Sequence, residues 1–145
     1  MDSSTPSPPS RTETERIQVT IPARPEYVVV VRLVVAGIAG RMPFSVDDIE
    51  DLKLAVGEAC TVAILAGAPQ VEVGFDVAPD QLEVHIAYRQ ARGGRGGQER
   101  ELATFLVRCL MDDVRFESRG TQRMIRMTKR VPREQNGAPR EAEGR

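Results

Sequence analysis

The sequence predicts an α+β fold: a two-layer α/β sandwich with helices on one face of a mixed, mostly antiparallel sheet. Three observations point there. Five short segments alternate apolar and polar residues at strand period, and four of them fall into two hairpins about Pro79-Asp80 and Arg119-Gly120-Thr121. A long helical pattern fills the middle of the chain, residues 45–66. Two shorter helical patterns flank it, and the order β-α-α-β-β-α-β-β groups the helices against one sheet.

In chain order, residues 1–15 are rich in Pro, Ser, Thr and charge, with little to bury, so they read as a disordered arm. Ile17, Val19 and Ile21 alternate with polar residues as a half-buried strand, which Pro22 and Pro25 end. Residues 26–42 read as a helix, although the β-branched run of Val28, Val29, Val30 and Val31 favours a strand by propensity alone. The length of the run and its stop at Met42-Pro43 favour the helix. The central helix opens with Ser45 as N-cap and Asp48 in capping-box position, and Asp47, Asp48, Glu50 and Asp51 suit the positive end of its dipole. Ile49, Leu52, Val56, Ala59, Cys60, Ala63 and Ile64 draw an apolar stripe along it, and Gly67 and Pro69 stop it. Glu58 lies close to that stripe, either solvated at its edge or held there for chemistry.

Residues 70–77 and 81–88 alternate as a hairpin, and residues 91–97 (ARGGRGG) form a flexible, solvated glycine loop without Walker spacing. Residues 99–111 make an amphipathic helix with Leu102, Phe105, Leu106, Cys109 and Leu110 on its apolar face. Residues 114–118 and 122–129 close the domain as a second hairpin, and 132–145 read as a disordered tail, which leaves one domain over 16–131.

Composition narrows the function. A net charge of −1 gives no overall pull toward nucleic acid or membrane, and 4% aromatic residues supply few stacking platforms for bases. A single histidine, His85, excludes a histidine-rich metal centre and leaves a histidine triad unsupported. Cys60 and Cys109 both sit in apolar helical patterns, so they read as reduced, buried thiols. The N-terminal segment lacks the apolar core of a signal peptide, and the apolar run 27–36 is short and broken by Arg32. A cytoplasmic protein is expected.

Three segments carry a resemblance. IPARPEYVVVVRLVVAGIAGRM, FSVDDIEDLKLAVGEACTVA and FLVRCLMDDVRFES, the last followed by Gly120-Thr121 and MTKRV, resemble the anti-sigma-factor serine kinases. These are bacterial regulators with the histidine-kinase-like (Bergerat, GHKL) ATPase fold, and the likeness spans 17–131. It implies a protein that sequesters an alternative sigma factor and also binds an anti-anti-sigma antagonist, phosphorylating a serine of the antagonist with ATP and magnesium. It further implies a homodimer formed through the face that meets sigma, with no direct contact to nucleic acid or membrane.

Matched residue by residue, the resemblance makes Glu58 the general base for the attacking hydroxyl. The family's magnesium-holding asparagine falls on Val62, which offers no ligand oxygen. The adenine-binding Asp-x-Gly-x-Gly falls on Tyr88-Arg89-Gln90-Ala91-Arg92, without carboxylate or glycine in register. The phosphate-binding Gly-Leu-Gly-Leu falls on Glu101-Leu102-Ala103-Thr104, where Glu101 repels phosphate. Only Gly120-Thr121 stands in place, as a nucleotide contact or simply as a hairpin turn. Arg32 falls where similar proteins carry a partner-binding arginine; otherwise it is a solvated residue on the outer face of its helix.

The expected function is therefore an anti-sigma factor with eroded ATP-binding and kinase motifs. Two alternatives stand beside it: an active serine kinase with a rearranged nucleotide pocket, and a signalling adaptor.

Overall fold

Strand β1 (Glu15–Pro22) opens the computed structural model, which describes residues 14–133. A single helical turn, Pro25–Tyr27, leads into α1 (Val28–Ala39), and α2 (Val46–Leu65) follows. The remaining elements are β2 (Gln70–Ala78), β3 (Gln81–Arg89), α3 (Gly97–Leu110), β4 (Asp113–Arg119) and β5 (Gln122–Arg130). The strands form one sheet in the order β1-β2-β3-β5-β4, and each pairing is antiparallel. The expected α+β class holds. The expected N-terminal arm and C-terminal tail lie outside the described residues but for their inner ends; β1 begins at Glu15, one residue inside the arm.

The valine run settles as helix because tertiary burial outweighs β-propensity. Val31, Val35 and Ala39 have no exposure, while Val29 and Leu33 are 54% and 67% exposed. That is a period near four, not two. In α2 the capping box forms as read: the Asp48 backbone N–H donates to Ser45 Oγ at 3.0 Å, and the Ser45 N–H donates to Asp48 Oδ2 at 3.2 Å. Leu52, Ala55, Val56, Ala59, Cys60 and Ala63 are fully buried against Val71, Val73 and Phe75 of β2, Leu82, Val84 and Ile86 of β3, and Ile125 and Met127 of β5.

The expected face of α3 needs correction. Its buried residues are Ala103 and Val107; Leu106 and Leu110 are half-buried, and Leu102, Phe105 and Cys109 are exposed. The helix sits beside α2 and buries only a narrow stripe of small side chains, so the wider apolar pattern faces outward. Cys109 is consequently an exposed thiol, and Cys60 alone is buried. No helix among the described residues is long and apolar enough to cross a membrane.

Two charged features join the layers or line the sheet. Lys129 on β5 is 8% exposed, donates from Nζ to the Leu110 carbonyl at 2.9 Å, and lies 3.7 Å from Asp51 Oδ2 of α2. It thus places a cation at the negative end of α3 and ties β5 to both helices. The sheet face away from the helices carries Arg16, Asp76, Glu83, His85, Glu117 and Arg126. Arg16 Nη1 meets Asp76 Oδ1 at 3.2 Å and Arg126 Nε meets Glu117 Oε2 at 3.0 Å. Buried His85 lies between the two arginines, 3.4 Å from Arg16 Nη2 and 3.3 Å from Arg126 Nη1.

Two outcomes follow for stability and reactivity. Lys129→Ala leaves the Leu110 carbonyl without its donor and is expected to cost about 2–3 kcal/mol, lowering the urea midpoint with an unchanged slope. Burial pushes the Cys60 thiol from its ordinary 9.0 up to about 12, with Arg32 opposing the shift. A maleimide at neutral pH should therefore modify Cys109 alone in the native protein. The folded state holds the Cys60 proton more tightly than the unfolded chain does. Its contribution is complete below pH 9.0 and is lost as pH rises toward about 12, which a Cys60→Ala control should flatten in alkaline denaturation.

Candidate functional site

A cleft of about 310 Å³ opens between the start of α1 and the second half of α2. Glu58, Thr61 and Leu65 line it from α2, Val28 and Arg32 from α1, and Arg95 from the loop before α3. The helical spacing explains the set, since residues three, four and seven apart share a face. Gly57 of α2 also lines the cleft. The Arg32 guanidinium lies over Gly57, where a Cβ would come within 2.7 Å of Arg32 Nε and 2.9 Å of Nη2. A glycine inside a helix sacrifices about 1 kcal/mol of propensity, and here the room it leaves is filled by an arginine.

Arg32 is half-buried, and its Nε is fully buried without a hydrogen-bond partner. Among the described residues it forms no ion pair. Glu58 shares the cleft and likewise has no salt bridge among the described residues. Thr61 is already committed, its hydroxyl donating to the Gly57 carbonyl one turn back at 3.1 Å. The cleft therefore offers one carboxylate, two guanidinium groups and an apolar lip, with a buried donor unsatisfied.

The other residues singled out from the sequence lie elsewhere. Val62 is 7% exposed and belongs to the core cluster rather than the cleft lining, although it is four residues from Glu58. Gly120 and Thr121 form the β4–β5 turn. Gly120 has φ +61°, its carbonyl accepts from Arg123 Nη1 at 2.7 Å, and the Thr121 carbonyl accepts from the Gln90 N–H at 2.8 Å. Neither residue lines the cleft with Glu58.

The glycine loop is more constrained than a flexible, solvated connector. Ala91 N–H donates to the Ala66 carbonyl at 3.1 Å and Arg95 N–H to the Leu65 carbonyl at 2.8 Å, so the loop satisfies the last carbonyls of α2. A Cβ on Gly94 would meet the Ala66 oxygen at 3.0 Å. The backbone closeness that glycine permits is used here against α2.

Magnesium and ATP can be tested against this geometry. Magnesium needs oxygen ligands, and the turn after Glu58 presents Val62 to the core. Gly94 and Gly96 of the loop pack on the end of α2, and Glu101, in the segment matched to the phosphate-binding motif, projects from the early part of α3. The residues present do not fit a magnesium nucleotide in the manner of the matched motifs. Gly57 and Arg95 escaped attention in the sequence as site residues. A glycine in mid-helix was the available signal for the first; for the second, only the fold brings the loop back to α2.

Residues 21–129 match the histidine kinase-like ATPase domain model. The serine-protein kinase RsbW of Bacillus cereus (strain Q1) is 36% identical over 143 residues, covering 83% of this chain and 88% of that protein. The serine-protein kinase RsbW of Bacillus velezensis is 38% identical over 129 residues, covering 74% and 81%. The crystal structure of the RsbU and RsbW domains of Rv1364c from Mycobacterium tuberculosis has the same fold, with a TM-score of 0.66 at 16% identity. That likeness covers 83% of this chain and 34% of the longer one. The strand order, the central helix and these matches agree: the chain belongs to the histidine kinase-like ATPase domain family, in the anti-sigma-factor serine-kinase group that includes RsbW.

Proposed function

We propose that this protein is an anti-sigma regulatory factor that holds an alternative sigma factor, and in exchange an anti-anti-sigma antagonist, through the α1–α2 cleft and the exposed face of α1, without using ATP and magnesium. The observation that carries the proposal is Arg32. Its guanidinium is pre-placed over Gly57 and carries a buried Nε without a hydrogen-bond partner among the described residues, and α1 also carries exposed Val29 one turn back from it. A half-desolvated arginine in an apolar setting gains more from a partner's carboxylate than a fully solvated one does. Val62 in the core, the missing carboxylate at 88–92 and the loop packed against α2 support the loss of nucleotide use.

An active serine kinase with a rearranged pocket is the second reading, favoured by one observation. Glu58 is retained, lines the same cleft as Arg32 and Arg95, and has no salt bridge among the described residues. In that reading it would accept the proton of the attacking hydroxyl.

Co-purification with each sigma factor of the same genome tests the binding proposal, with one tight complex expected; recovery of none would refute it. Arg32→Ala should weaken that complex by about 2 kcal/mol, roughly thirtyfold. Gly57→Ala separates fold from function. It should keep or raise thermal stability by helix propensity, about 1 kcal/mol, while displacing the Arg32 guanidinium and lowering affinity. Calorimetric titration with ATP and magnesium should show no binding heat. Micromolar binding that disappears in Glu58→Ala would establish the kinase reading instead.

A further inference from the structure

We propose that Asp76, Glu83 and His85 form a zinc-binding site on the sheet face away from the helices, with Arg126 as the group that zinc displaces. Strand period puts the three together. Asp76 of β2 stands directly across from Glu83 of β3, and His85 follows two residues later on the same face. His85 Nε2 lies 3.4 Å from Asp76 Oδ2 and 3.5 Å from Glu83 Oε2, and the three atoms fall within 4.8 Å of one another. A depression of about 290 Å³, lined in part by Arg16, Asp76 and Glu83, opens beside them to solvent. None of these residues lines the α1–α2 cleft.

Two independent observations favour a metal ion here. The first is the buried imidazole. His85 is 6% exposed, and its hydrogen-bond contacts are with Arg16 Nη2 at 3.4 Å and Arg126 Nη1 at 3.3 Å, both of which only donate. A neutral ring has one lone pair to offer, so it cannot accept from both. The two carboxylate oxygens stand farther from Nε2 than the distance of about 2.7–3.2 Å that a good hydrogen bond needs. They stand instead close to the ligand-to-ligand edge of a zinc tetrahedron, about 3.3–3.4 Å for bonds of about 2.0–2.1 Å. The second observation is the facing pair of carboxylates. Like charges directly opposite in an antiparallel ladder repel, and a divalent ion between them replaces repulsion with ligation. Arg16 Nη1 holds only Oδ1 of Asp76, at 3.2 Å, which leaves Oδ2 turned toward the ring. In the filled site that contact orients the ligand from behind.

The donor set selects the ion. One imidazole nitrogen and two carboxylate oxygens suit zinc, with water in the fourth position, whereas magnesium takes oxygen ligands. Arg126 is the present occupant. Its Nη1 reaches 3.3 Å from His85 Nε2 and 3.7 Å from Glu83 Oε2, and its Nε is held by Glu117 at 3.0 Å. Its side chain is 33% exposed, so it can turn outward as zinc enters. Zinc on Nε2 leaves the ring proton on Nδ1, where the half-exposed Arg16 gives way.

Titration of tag-free, full-length Cys109→Ser protein with zinc chloride against a chromophoric chelator tests the site without the exposed thiol. One zinc per chain is expected to bind in the micromolar range, undisturbed by millimolar magnesium. Asp76→Asn and Glu83→Gln should each weaken binding by more than about tenfold. Arg126→Met removes the competing cation and should tighten binding by about tenfold, a gain that misfolding cannot imitate. The proposal is overturned if the Cys109→Ser protein binds no zinc, or if magnesium displaces the zinc it binds. It is also overturned if Asp76→Asn and Glu83→Gln bind at full strength, or if Arg126→Met binds no more tightly.

Discussion

The close packing of small residues along α2 is the constraint on which the other elements depend. This helix meets α1 on one side, α3 on another and the sheet beneath, and a helix contacted on three sides must have a slim surface. Ala55, Ala59 and Ala63 turn inward with no exposure, and Gly57 admits a side chain from α1. Interiors pack to crystal density, so each small residue on α2 sets how near its neighbour can come. Larger side chains there would push α1 and α3 away from the sheet and open the core to water.

Arginine over glycine recurs on the two faces of the molecule. Arg32 lies over Gly57 between the helices, and Arg16 lies over Gly74 on the open face of the sheet, where a Cβ would come within 2.8 Å of Arg16 Nη2. The electrostatic consequences differ. Arg16 is answered by Asp76 and sits in a network with His85, Glu83 and Arg126, which covers the sheet face with paired charge and discourages edge and face aggregation. Arg32 forms no ion pair among the described residues. The same steric device thus carries an ion pair in one place and, among the described residues, none in the other.

Much of the fold was legible because local chemistry and tertiary packing agree. The capping box at Ser45 and Asp48, the two hairpin turns and the strand alternation in β2, β3 and β5 each form as their residues dictate. The valine run was ambiguous, since propensity and periodicity pointed in opposite directions until burial of Val31 and Val35 decided between them. The α3 pattern is amphipathic as expected, but of its expected face only Leu106 and Leu110 turn partly inward, while Leu102, Phe105 and Cys109 are exposed. Periodicity locates a stripe, not the neighbour that covers it, and two small residues proved to be the packing face while larger ones point outward. Motif comparison located Glu58 and Arg32, whereas the cleft that joins them to Arg95 depends on a loop folding back some thirty residues further along the chain.

By itself the sequence determined the elements, their order, the hairpin pairings and the family, because each is written in contacts between residues close in the chain or in motifs of fixed spacing. Only the tertiary structure decided which face of each helix is covered, that the glycine loop seals the end of α2, and that the Arg32 guanidinium lies over Gly57. Those features depend on the distance between elements far apart in the chain. That distance is set by the summed packing of the core, which no single segment encodes.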